Sequence, residues 1–306
     1  MSAVERVRTV EPRATARAVG AGGLLPLLVH LRPHWQLVLS PIFLWGLLLA
    51  GGAFTPGVVL VFIAIHVFLY GGVTAYNSAY DRDTGPVSGL YRPPSVTPAL
   101  LPFSLLVQFL GLVVVTLVDV RLALIYLGYA TLSIAYSHPR FRWKGSPARS
   151  AFVIFVGQGV LAFLAGWIAA GASLGEVLSP PALLGLVGAA GTTLALFPLG
   201  HLFQLRDDSV RGDVTLAHAL GEQGTFRFSQ AVLLASGACI AAAIALHWQA
   251  AEALVVGSAF PFAALALEFW RRRFDSDATL ATYRTTMAFQ VTLAAGFAVF
   301  IGLKLL

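Results

Sequence analysis

The chain has 306 residues, of which 58% are hydrophobic and only 11% charged, with a mean hydropathy of +0.80. A soluble domain carries about 25% charged residues, so this composition excludes an ordinary water-soluble fold and makes lipid the solvent. The net charge of +6 and the pI near 9.8 do not point to nucleic acid, because the basic residues are spread between apolar runs and form no single patch.

In chain order, residues 1–30 carry several arginines and two acids, Glu5 and Glu11, without an apolar segment and a small-residue cleavage site. They predict a cytoplasmic tail, not a signal peptide. Residues 31–306 are the expected membrane domain. Apolar runs follow at about 34–53, 58–77, 98–118, 121–137, 150–171, 180–203, 226–246, 252–270 and 284–304. Each approaches the ~20 residues that a helix needs to cross a hydrocarbon core. Lipid leaves backbone polar groups no partner but one another, so the runs predict helices. The expected fold is an all-α integral membrane bundle of nine transmembrane helices with a cytoplasmic N-terminus. In that orientation every one of the 20 lysines and arginines except Arg121 and Lys304 faces the cytoplasm, as the positive-inside rule requires. The expected location is the cell membrane, with the charged face inward. The single cysteine, Cys239, lies in the seventh run and reads as a small buried apolar side chain.

Two cytoplasmic connections, 78–97 and 204–225, are long and rich in Asp, Arg, Gly and Pro. Each holds an amide followed four residues later by an acid: Asn77 and Asp81, then Gln204 and Asp208. If the helices continue that far, each pair shares a face. Asp81 and Asp83 on one side and Asp207 and Asp208 on the other would repel one another across a low-dielectric cavity, so a cation between them gives the arrangement a reason. Mg²⁺ takes such hard oxygen ligands together with phosphate oxygens. Nearby bases suit a diphosphate: Arg82, Arg206 and Arg211 in the acidic segments, and Arg140, Arg142 and Lys144 in the loop between them. The bland alternatives are solvated loop ends and bases placed for topology alone. Polar residues in or beside the apolar runs add further candidates. His201 is expected near Asp208, His66 as a helix contact, and Glu268 at the interface beside Arg271 and Arg272.

The order of these segments resembles the UbiA superfamily of intramembrane prenyltransferases, over residues of about 31 to 304. The family's first motif, Asn-Asp-x-x-Asp-x-x-x-Asp, is matched by Asn77 and Asp81, with Ser78 and Gly85 at its other acidic positions and Asp83 as a compensating acid. Tyr91-Arg92-Pro93 resembles the Arg-Pro that follows. The second motif, Asp-x-x-x-Asp and then Gly and Thr-Leu, is matched by Asp208, Arg211-Gly212-Asp213, Thr215-Leu216 and Gly221, with Gln204 at its first acid. Tyr136-Ser137 through Lys144-Gly145 is similar to the family's Tyr-Ser-x-Pro-x-x-x-x-Lys segment, and Leu31-Arg32-Pro33 is also familiar.

The resemblance implies a nine-helix bundle and an enzyme, a prenyltransferase, in which Mg²⁺ holds a prenyl diphosphate and a hydrophobic aromatic or lipid-like acceptor captures the prenyl group inside the membrane. Asp81, Asp208 and Lys144 are the expected catalytic residues. Asn77, Asp81, Asp83, Gln204, Asp207 and Asp208 are the expected metal side, and Arg82, Arg140, Arg142, Arg211, Tyr136 and His201 the substrate contacts. Tyr70, Tyr76, Tyr80 and Phe203 are candidate π-faces for a cationic intermediate. A membrane terpene cyclase that ionises the same substrate without an acceptor is the alternative. A lipid transporter or binding protein, or a structural role, is a lesser one.

Overall fold

The computed structural model describes residues 23–305, and those residues build an all-helical membrane bundle without a named strand. The arginines expected in the tail before residue 23 lie outside the described residues. A short helix, α1 (Leu24–Leu31), occupies the rest of that expected tail and packs against the end of the second apolar run. Eight helical segments are long and apolar enough to cross a bilayer. They are α4 (Pro56–Asp81), α5 (Leu100–Val118), α6 (Val120–Ser137), α7 (Pro147–Ala169), α8 (Pro180–His201), α10 (Leu216–His247), α11 (Ala250–Arg271) and α12 (Thr279–Leu305). The short α9 (Leu205–Arg211) stands between α8 and α10.

The run expected as a single first span is divided. Helix α2 (Pro33–Gln36) passes through a tight turn at Leu37–Leu39 into α3 (Ser40–Leu49). Pro41 explains the break, because it has no N–H for the Leu37 carbonyl four residues back and its ring crowds that carbonyl. The Ser40 hydroxyl donates to the Leu37 carbonyl instead, at 2.7 Å.

Local chemistry sets most helix starts. Pro33, Pro41, Pro56, Pro147 and Pro180 lie in first turns, where a missing N–H costs nothing. Thr55 Oγ accepts from the Val58 N–H at 3.2 Å, and Asp119 accepts from the Arg121 N–H at 2.8 Å. Trp45, Phe43, Phe163, Tyr126 and Phe226 are fully buried in the core. Helices α3 and α7 cross in close contact because Gly46 meets the Phe163 carbonyl and Gly166 meets the Phe43 carbonyl, so a Cβ at either glycine would strike backbone.

The π-helical stretches Ala64–Tyr70 in α4 and Ile154–Leu161 in α7 lie inside spans. His66 belongs to the first: it is buried, its Nδ1 lies 2.9 Å from the Phe62 carbonyl, and it stacks on Phe62, so it is a helix contact. Cys239 is half-buried on α10. At one end of the bundle Arg121 pairs with Asp119 at 2.7 Å and Lys304 with Glu252 at 2.6 Å. Near the other end Glu268 accepts from Arg271 and Arg272. The largest cluster of acids and bases closes that other end.

Candidate active site

Helix α4 carries Asn77 and Asp81 to the mouth of the bundle and stops there because Arg82 adopts a left-handed conformation (φ 51, ψ 39), its N–H returning to the Ser78 carbonyl at 3.0 Å. The chain then crosses the mouth as a strap with a tight turn at Val87–Leu90. Gln204 donates to the Pro86 carbonyl at 2.9 Å, and Arg32 donates to the Ser88 carbonyl at 3.0 Å. Gly89, at φ +81, lies flat against Trp35, where a Cβ would be 2.6 Å from the tryptophan Cβ. The loop after α6 supplies Arg142, the turn at Trp143–Gly145 supplies Lys144, and α9 supplies Asp208 and Arg211.

These groups form a chain of ion pairs. Lys144 pairs with Asp81, which Arg142 approaches at 3.9 Å. Arg142 grips Asp213 through two bonds of 2.8 and 2.7 Å, in the fork geometry that suits a carboxylate. Arg211 reaches Asp213 at 3.6 Å and Asp208 at 2.5 Å, and also pairs with Asp83. His201 Nδ1 closes on the other oxygen of Asp208 at 3.1 Å. The Asn77 carbonyl oxygen accepts from the Ser137 hydroxyl at 2.9 Å.

Electrostatics separates the acids. Burial, followed by the charge of Asp81, raises the Asp83 pKa above its usual 3.8 against the pull of Arg211 and Lys144. Burial also pushes Asp208 upward, but the hydrogen bonds and charges of His201 and Arg211 outweigh it and hold the carboxyl below 3.8.

The ion pairs cap a cavity of about 1150 Å³. Asn77, Asp81, Asp83, Tyr136, Lys144, His201, Gln204, Asp208 and Arg211 all line it, so both amide–acid pairs present one face to it. Arg142 stands behind, holding Asp213, which does line it. Arg82, Arg140 and Asp207 do not line the cavity. Arg82 and Arg140 are exposed. Asp207 is one residue, about 100° of helix, from Asp208, and its carboxylate rests against Gly85, where any Cβ would collide with it.

The expected π-faces are also redistributed. Tyr76 and Tyr80 meet edge to face at 5.0 Å, Phe203 packs on Tyr283, and Tyr70 is in the core. Tyr129, Tyr136, Phe197, Phe260 and Phe289 face the cavity instead. Farther from the charges the walls are apolar, and the cavity opens sideways between α11 and α12, where Phe262, Val299 and Leu303 both line it and stand exposed.

Two site residues were not assigned from the sequence, Asp213 and Arg32. Both stand in segments that carry the family resemblance, Asp213 in Arg211-Gly212-Asp213 and Arg32 in Leu31-Arg32-Pro33, but neither segment assigns them a role.

The model of the UbiA prenyltransferase family matches residues 39–294. The chain belongs to the UbiA prenyltransferase family. Among solved structures, it is similar to the apo structure of a UbiA homolog from Aeropyrum pernix K1, with 20% identity, 89% of this chain and 98% of that chain covered, and a TM-score of 0.65. A UbiA homolog from Archaeoglobus fulgidus bound to DMAPP and Mg²⁺ has 17% identity, 88% and 99% coverage and a TM-score of 0.63. The same description with GPP and Mg²⁺ gives 16%, 89%, 99% and 0.61. No curated protein matches the sequence. These structures establish the UbiA fold for the chain.

The donor chemistry of the mouth fits a hard divalent cation. Asp81, Asp83, Asp208 and Asp213 outnumber the bases Lys144, Arg142 and Arg211 that hold them. The Arg211 guanidinium already stands between Asp83, just after α4, and Asp208 of α9, a cation where repulsion calls for one. Because each acid is turned onto a base, no group of three His, Cys, Asp or Glu side chains is in metal-holding geometry among the described residues.

Proposed function

We propose that this UbiA family protein transfers a prenyl group from an isoprenyl diphosphate to an aromatic or lipid-like acceptor, with Mg²⁺ as cofactor and the charged mouth facing the cytoplasm. The observation that carries this reading is the convergence of two acidic segments and three bases on one end of a long apolar cavity. Asn77, Asp81, Asp83 and Asp208 would hold Mg²⁺, which when bound neutralises charge on the diphosphate oxygens.

The chain's own residues do the rest. Lys144 and Arg211 bind diphosphate oxygens and stabilise the negative charge that grows on the leaving group, as fixed donors do in other active sites, and Arg142 holds Asp213 from behind. The allylic C–O bond breaks with its electron pair leaving on diphosphate. The apolar walls keep water from the resulting cation, and Tyr129, Tyr136 and Phe197 offer π-faces to it. An acceptor carbon then forms the new C–C bond and releases a proton. The opening between α11 and α12 gives the isoprenoid tail and the acceptor a route from the bilayer.

The test is diphosphate release by purified protein with Mg²⁺ and C15 or C20 diphosphates, with and without aromatic acceptors, followed by product mass spectrometry. Acceptor-dependent release with a prenylated product supports transfer. Release that needs no acceptor and yields a terpene hydrocarbon would overturn it in favour of a cyclase, and substrate movement without release would favour a transporter.

A further inference from the structure

Of the bases that line the cavity, Lys144 and Arg211 each have a carboxylate within 4 Å, but Arg32 has none among the described residues. Its side chain is buried, at 5% exposure, and lines the cavity. The backbone holds it there in a left-handed conformation (φ 51, ψ 49) between α1 and α2. Nη2 donates to Ser78 Oγ at 2.8 Å and Nη1 to the Ser88 carbonyl at 3.0 Å, while the Nε–H reaches no acceptor. Two neutral oxygens do not balance a buried guanidinium, and an unpaired buried charge is unfavourable by far more than two such bonds recover. Asp83 and Asp81 attract it only from beyond ion-pair distance. Burial accordingly lowers the Arg32 pKa to about 10.

We propose that Arg32 is the centre of a buried oxyanion site at the cavity mouth, completed by a phosphate or carboxylate oxygen of a bound substrate. Ser78 is part of the device. Its hydroxyl orients the guanidinium without neutralising it, whereas an acid at 78 would satisfy Arg32 internally. The proposal rests on the prenyltransferase reading for its two ligand sources, the diphosphate leaving group and the acid group of an acceptor.

Affinity in the absence of metal and turnover separates this proposal from that reading. Inorganic diphosphate and benzoate are titrated into the full-length protein in detergent with EDTA, for wild type, Arg32→Gln, Arg32→Lys and Ser78→Asp. Wild type is expected to bind at least one of the two, Arg32→Gln to weaken that binding about tenfold or more, and Arg32→Lys to recover part of it. Ser78→Asp is expected to weaken it as much while its unfolding temperature stays at or above that of wild type. Loss confined to diphosphate assigns the leaving group, and loss confined to benzoate assigns an acidic acceptor. Binding of neither anion by wild type, or binding within twofold of wild type by both Arg32→Gln and Ser78→Asp, would overturn the site, whatever the diphosphate-release assay gives.

Discussion

Asp81 and Asp208 illustrate how much one residue can carry here. Both are legible in the sequence as acids four residues after an amide, and both line the cavity. Replacing either by Asn removes a charge that the proposed metal and the leaving group need. The expected outcome is a loss of kcat of about 10²–10³-fold, the range seen when one preorganised electrostatic group is removed, measured as diphosphate release with saturating Mg²⁺.

Asp83 and Asp208 differ in sign. Asp83 is raised, so its contribution to metal-free stability is fully present below pH 3.8 and is lost as pH rises through its elevated value. Asp208 is lowered, so its contribution is present above 3.8 and is lost only as pH falls through its depressed value. Acidification therefore protonates Asp83 first. In metal-free protein the acid-side change in unfolding temperature assigned to Asp83 should lie above 3.8 and should be absent in Asp83→Asn. An unchanged profile would show that another group sets it.

At the scale of elements, close approach and wide separation both matter. Helices α3 and α7 touch because Gly46 and Gly166 face each other's carbonyls, and a side chain at either position has nowhere to go. Gly166→Leu should destabilise the bundle by about 1–3 kcal/mol or more, seen as a lower unfolding temperature in detergent. Helices α11 and α12 are separated instead, and the cavity opens between them. A bulky residue on that rim, Ala288→Trp, should lower kcat/KM for a C20 diphosphate more than for a C5 one, because only the longer tail must occupy the opening. The strap from Arg82 to Ala99 shows why element boundaries were less legible. Its polar residues read as a loop, but its course across the mouth depends on Trp35, Arg32 and Gln204, which arrive from three distant parts of the chain.

Over the whole molecule, the apolar core and the charged mouth are separate sources of order. Each mouth acid is already paired with a base, so the bundle does not need a metal to offset their repulsion. Removal of Mg²⁺ by EDTA should therefore abolish turnover while shifting the unfolding temperature by no more than about 2–4 °C, the change that ~1 kcal/mol produces in a chain of this size. A metal-stripped protein that unfolds would contradict this separation.

The sequence by itself determined that the chain is an all-helical membrane protein, because apolar runs of bilayer length have no other stable backbone arrangement. It also determined the family, through Asn77, Asp81, Asp208, Lys144 and the order of their segments. Tertiary structure decided which of the many mouth charges face the cavity. It turned Arg82, Arg140 and Asp207 away, brought in Asp213, and left Arg32 buried without an acid. Residue type and spacing specify which face of a helix a side chain shares, but the direction that face takes is set by packing against helices from the rest of the chain.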